Sequence, residues 1–163
     1  MSDFVLQHRL AFTANLLRRL SDRIVDECDV WLAGQGFTAP GRTASTLMLL
    51  LERGPTPITE IAAGIGFSHP FVVRLVESLE ALKFVDSRQD PRDGRRRLVG
   101  LTPVGVLEAE RIQRTRDAVG AALAEVLEEA GVDLLADIET VNRALDRRSL
   151  DRRLAELTEE GEP

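Results

Sequence analysis

The sequence predicts a mainly α protein with a small β-hairpin wing: a winged helix-turn-helix lobe carried between helical dimerisation arms. Three observations predict it. Residues 56–82 hold two short stretches with one apolar face each, joined through Gly64-Ile-Gly66. Residues 83–102 then leave the helical period for two strand-like pairs, Phe84-Val85 and Leu98-Val99, around the turn-rich tip Asp90-Pro-Arg-Asp-Gly94. Long helical patterns flank this block on both sides.

Taken in order, residues 4–33 read as one long helix, with Leu6, Leu10, Leu17, Leu20, Ile24 and Trp31 on one face and Arg18, Arg19, Asp22, Arg23, Asp26 and Asp29 largely on the other. Its length of about 45 Å exceeds what a small domain needs for its own core, which points to a partner chain. Gly34 and Gly36 end it. Thr38 reads as an N-cap with Pro40 in the first turn, opening a helix to about Glu52. Its centre, Leu47-Met-Leu-Leu-Leu51, is apolar all round and so buried. Thr56 reads as the cap of a short helix with Pro57 first, and Ser68 as the cap of the next, with Pro70 where a missing N–H costs nothing. In that second helix Val72, Leu75, Val76 and Leu79 face inward, leaving His69, Pro70, Val73, Arg74 and Glu77 outward. Thr102-Pro103 starts a further helix to about Ala130, with an apolar stripe from Val104 and Leu107 through Ile112 to Leu127. Gly131 breaks it, and Val132 to about Leu157 reads as the last helix. The organisation is thus 1–37, an N-terminal dimerisation helix; 38–102, the winged helix-turn-helix lobe; and 103–163, C-terminal dimerisation helices.

Composition narrows the function. The 163 residues carry a net charge of −6, unpromising for a nucleic-acid binder, but the charge is unevenly placed. Residues 1–37 are net −1, residues 38–102 net +2 and residues 103–163 net −7, with Arg92, Arg95, Arg96 and Arg97 concentrating the positive part. Screening over about 8–10 Å makes such a local cluster matter more than the total. One cysteine, Cys28, excludes an internal disulfide framework and a cysteine-rich zinc site. Its acidic neighbours Glu27 and Asp29 disfavour a reactive thiolate. The longest apolar run is far too short to span a bilayer and no signal-peptide pattern is present, so the expected location is cytoplasmic, away from membrane. No nucleophile with a base, metal-spaced cluster or phosphate loop appears, so catalysis is not expected.

A helix-turn-helix lays its second helix in the major groove, where small or polar residues and a base reader are needed near the N-terminus. Ser68, His69 and Arg74 are of that kind. Arginine grips the O6/N7 edge of guanine or binds a phosphate, and residue type alone does not choose between them. His69 reads equally well as a helix-start residue without a base contact. Val73 offers methyls to a thymine. At the wing, a narrow minor groove attracts an inserted arginine, and Asp93 beside Arg95 across Gly94 is a natural brace.

Residues 34–105 resemble the MarR family of bacterial transcription regulators. The pieces are Gly36-Phe-Thr38, Ile58-Thr-Glu-Ile-Ala-Ala63, Ile65-Gly-Phe-Ser68, Val72-Val-Arg-Leu-Val-Glu-Ser-Leu-Glu80, Asp90-Pro-Arg-Asp-Gly-Arg95 and Leu101-Thr-Pro-Val-Gly105. The flanking helical arms fit as well. The resemblance implies a homodimer on double-stranded DNA, reading a palindromic operator, commonly as a repressor released by a small organic effector and without a bound cofactor or metal. It makes Arg95 the minor-groove arginine and Asp93 its brace. It also implies an effector crevice beside the dimer arm, for which Phe4, His8, Phe12, Trp31 and Phe37 are the candidates, though core or interface packing explains the same residues. Two departures stand out: Phe71 and Val73 occupy recognition-helix positions where hydroxyls are usual, and Lys83-Phe84 replaces the usual glycine before the wing. The rival reading is a winged-helix protein-interaction module that does not bind DNA.

Overall fold

The computed structural model describes residues 3–91, Asp93 and 96–159. The chain divides into two compact units, one up to Arg116 and one from Asp117 onward.

The first unit begins with α1 (Phe4–Gln7) and α2 (Thr13–Gly34), so the single helix expected over 4–33 is interrupted. Asp3 caps α1, accepting from the N–H of Val5 at 2.9 Å, and its other oxygen takes Arg19 of α2 at 2.6 Å. At the break the Thr13 hydroxyl donates to the Leu10 carbonyl at 2.8 Å, occupying an acceptor that a continuous ladder would use. Phe37 N–H donates to Leu32 O and Gly36 N–H to Ala33 O, with Gly36 at φ 77°, which closes α2 in a Schellman motif.

Helix α3 (Ala44–Arg53) starts later than the sequence indicates, after a 3₁₀ turn at Gly41–Thr43. Thr38 does not cap it, because α3 begins only at Ala44; the backbone N–H groups of Thr38 and Ala39 are held instead by the Glu108 carboxylate at 2.9 and 3.2 Å. Thr56 and Pro57 form strand β1 (Thr56–Pro57) rather than a cap and first helical residue. The Thr56 hydroxyl donates to Gly54 O at 2.9 Å, and Thr56 pairs with Val99. Proline suits this edge strand, where its missing N–H faces no partner. Then come α4 (Ile58–Ile65), α5 (His69–Ala81), β2 (Val85–Gln89), β3 (Arg97–Leu101) and α6 (Pro103–Ala130). The sheet is antiparallel in the order β1-β3-β2, with Val85 opposite Leu101 and Gln89 opposite Arg97. The hairpin is therefore longer than its sequence pairs and gains a third strand.

One core joins these elements. Leu47 and Leu50 of α3, Ile61 of α4, Val72 and Leu79 of α5, Phe84 before the wing, Val99 of β3 and Ala109 and Ile112 of α6 are all buried. Helix α6 packs on this core through Gly105, Glu108, Ala109 and Ile112. The start of the expected stripe does not face this core, since Val104 and Leu107 are 57% and 62% exposed. A β-carbon at Gly105 would lie 1.8 Å from the Phe84 carbonyl oxygen, so only glycine lets α6 approach the base of the wing this closely. Thr102 ties the same point: its N–H donates to Phe84 O at 3.0 Å, its hydroxyl donates to Lys83 O at 2.7 Å, and that hydroxyl accepts from Gly105 N–H at 3.1 Å.

In the second unit, the last helix is two: α7 (Leu134–Arg147), capped by Asp133, and α8 (Leu150–Glu159). Arg148 is extended between them with its N–H on Ala144 O, and Arg153 donates to the carbonyls of Ala144 and Arg148 across the break.

Candidate nucleic-acid interface

Helix α5 is seated by its inner face. Val72, Leu75, Val76 and Leu79 are buried, at spacings of three and four, which turns Ser68, His69, Arg74 and Glu77 to solvent. Val73 is half-buried, so its methyls are less fully presented than its outward placement in the sequence reading implied. The tight entry into α5 depends on Gly66, the left-handed cap of α4 at φ 72°. Ser68 occupies the N-cap position of α5 but its hydroxyl makes no cap bond, which leaves that hydroxyl on the surface at the helix N-terminus. The last turn of α5 closes through Lys83, a non-glycine residue at φ 61°, with Lys83 N–H on Glu80 O and Phe84 N–H on Leu79 O, both at 2.9 Å. The junction where a glycine was missed thus keeps the left-handed geometry without the glycine.

The Arg74 guanidinium lies over the Phe71 ring, 5.7 Å from its centroid, and Phe71 in turn meets Phe67 at 4.8 Å. Arg74 makes no ion pair among the described residues.

The wing is held to α5 by the Ser87 hydroxyl on the Glu80 carboxylate. Strand alternation puts Arg97 on the same hairpin face as Ser87 and Gln89, the face turned to α5. Arg88, a cation the sequence reading passed over, is exposed on the opposite face; the strand alternation begun at Val85 was the signal for it. Near the tip Asp90 N–H donates to Arg96 O and Arg96 N–H to Asp93 O, each at 2.9 Å. The Arg96 side chain reaches back to Glu60 of α4 at 2.5 Å, so the cluster does not present all its arginines as free cations. Arg92, Gly94 and Arg95 lie outside the described residues, and with them the brace between Asp93 and Arg95.

The five aromatic candidates for an effector crevice separate. Phe4, His8 and Phe12 form a cluster with centroids 4.9 and 5.5 Å apart about Phe4. Trp31 is 42% exposed on α2. Phe37 packs on the core and is covered by Arg111, whose guanidinium stands 4.3 Å from the ring and donates to the carbonyls of Gln35 and Gly36. A shallow groove of about 510 Å³ between α3, α4 and α6 is lined by Met48, Leu49, Arg53, Gly64, Ile65 and Gln113 among others, and by none of the five. Burial raises the pKa of the Cys28 thiol above its ordinary value, and the charges of Asp29 and Glu27 add to that. Glu108, which grips the α2–α3 loop, was also missed; a carboxylate at i+4 from Val104 and i−4 from Ile112, inside an apolar stripe, was the signal. Among the described residues no group of His, Cys, Asp and Glu is placed to hold a metal ion, and no helix is long and apolar enough to cross a membrane.

Two helices joined by a left-handed turn, then an antiparallel hairpin closed by a small edge strand, define a winged helix-turn-helix protein. A family model described as "MarR family" matches residues 35–96, which hold the helix-turn-helix and β2 of the wing. Through that lobe the chain is similar to the MarR family of transcription regulators. Solved structures agree on the fold. The MepR–DNA complex of S. aureus superposes with a TM-score of 0.64 at 24% identity, covering 81% of this chain and 97% of that one. The repressor CouR bound to a 23-mer DNA duplex gives 0.60 at 23%, covering 87% and 98%. A probable transcriptional regulator from Pseudomonas aeruginosa gives 0.53 at 26%, covering 87% and 98%. No curated protein matches the sequence.

Proposed function

We propose that the protein is a sequence-specific DNA-binding transcriptional repressor, acting in the cytoplasm as a homodimer on a palindromic operator and released by a small organic effector. The observation that carries the reading is the seating of α5: its apolar face is locked into the core while Ser68, His69 and Arg74 stand in solvent beside an arginine-bearing wing. The similar fold of MepR and CouR in complexes with DNA supports it. Self-association is supported by rows of exposed apolar side chains on the arms. Leu6 and Leu10 before α2 and Leu17 and Leu20 on it are exposed in the first unit, and Leu135, Ile138, Val141 and Leu145 form a row along α7 in the second. Such faces are costly to leave in water and are matched by an identical face on a second copy. An effector site is supported by the Phe4–His8–Phe12 cluster, whose rings offer stacking surface to a planar organic molecule.

The test is selection of genomic fragments by the purified protein, with its mass measured in solution. The expected result is a dimer protecting two half-sites about one helical turn apart, with binding that weakens steeply as salt rises. A protein with no affinity for any duplex at low salt would instead be the interaction module of the rival reading.

A further inference from the structure

We propose that Phe71, buttressed by Phe67, is the positioning residue that gives α5 its guanine specificity, by holding the Arg74 guanidinium in a fixed plane. The inference rests on α5 being the groove-reading helix, and it adds what aims the reading side chain. Phe67 and Phe71 form a tilted pair at 4.8 Å and 51°, and the Arg74 guanidinium carbon stands over the Phe71 ring, 5.7 Å from its centroid. The row begins from a fixed point, because Phe67 N–H donates to Ala62 O at 3.1 Å across the Gly66 turn. Phe67 is 47% exposed and Phe71 half-buried, and neither belongs to the hydrophobic core, so core packing does not account for two aromatics here.

The physical reason is geometric. A bidentate contact to O6 and N7 requires the guanidinium to lie near the plane of the base pair. An unrestrained arginine samples many orientations and meets phosphates as readily as bases. Stacking on a ring face restricts the plane while leaving the in-plane N–H donors open at the edge. Hydroxyl-bearing residues at the Phe71 position would offer no such surface.

The test uses the full-length protein and a randomised duplex library, comparing the parent with Arg74→Ala, Phe71→Leu, Phe71→Tyr and Phe67→Leu. The parent is expected to select a guanine in each half-site that Arg74→Ala no longer selects. Phe71→Leu is expected to lower the guanine preference about two- to fivefold per half-site, the effect of an exposed cation–π contact, with affinity for random duplex at low salt unchanged. Phe71→Tyr keeps a ring and is expected to keep the preference. Phe67→Leu, at a more exposed position, moves it in the same direction as Phe71→Leu. The inference is overturned if both leucine variants select guanine as the parent does while Arg74→Ala does not. If Arg74→Ala leaves the selected site unchanged, the groove-reading role of Arg74 fails, and this inference with it.

Discussion

Replacing Gly105 by alanine tests whether the wing and α6 are fused as tightly as the structure shows. The added β-carbon would meet Phe84 O at 1.8 Å, its carbonyl carbon at 2.7 Å and its α-carbon at 3.1 Å. Carbon–oxygen contacts are ordinarily about 3.3 Å or more, so α6 must retreat by well over an ångström. Phe84 cannot yield instead. It is 5% exposed, its N–H is bound to Leu79 O, and its carbonyl accepts Thr102 N–H. Overpacking of this kind costs about 1–3 kcal/mol, and retreat of α6 also strains the Thr102 cap, worth about 1 kcal/mol. The expected loss is about 2–4 kcal/mol, a large part of the roughly 5–15 kcal/mol that holds a domain together. Urea unfolding followed by circular dichroism, at one fixed protein concentration, measures it. Gly120→Ala is the control: it lies on the same helix, a β-carbon there meets nothing within 4 Å, and it should be neutral or stabilising by up to about 1 kcal/mol. A Gly105→Ala protein within about 0.5 kcal/mol of the parent, inside the scatter of ordinary surface changes, would refute the argument.

Further outcomes follow from neighbouring features. Lys83→Gly should stabilise by about 0.5–1 kcal/mol in the same assay, since relief of left-handed strain at φ 61° exceeds the added entropy of the unfolded chain. Glu108→Ala strips the partner from the Thr38 and Ala39 N–H groups and the ion pair from Arg111, and should cost about 2–4 kcal/mol. Glu60→Gln should change stability by less than about 1 kcal/mol, because both partners of the Arg96 pair are largely exposed. In a DNA titration it should steepen the salt dependence by about 0.9 for each phosphate the freed Arg96 reaches. Cys28, with its pKa raised by burial and then by Asp29 and Glu27, holds less thiolate at any given pH than a free cysteine. Its alkylation by iodoacetamide at pH 8 should be slower than that of a model thiol and still rising as pH passes about 9; a rate matching the model thiol would contradict the burial argument.

The lobe was legible because its signals are local. The apolar spacing of Val72 to Leu79, the glycines flanking Ile65 and the strand pairs Phe84-Val85 and Leu98-Val99 each specify a nearby backbone. What escaped depends on distant partners. β1 is two residues long and exists only because Val99 and Leu98 lie beside it. Its Thr-Pro pair carries a helix-start signal equally well. The interruption at residues 8–12 arises where the Thr13 hydroxyl competes with the ladder, which leaves the apolar spacing on either side intact. The division between α7 and α8 falls at Ser149, a capping residue masked by the leucine repeat around it. Of the interface, the outward residues of α5 other than Val73 followed from period alone. The Arg96–Glu60 pair did not, since it joins residues 36 apart.

The Glu108 clasp carries a kinetic meaning. It joins α6 to the Thr38–Ala39 loop across 70 and 69 residues, whereas α4, α5 and the hairpin assemble from near neighbours. Closing so long a loop is entropically slow, so the lobe is expected to form before the N-terminal helices are fastened to it. Changes at Glu108 should therefore register mainly as faster unfolding, with refolding rates almost untouched.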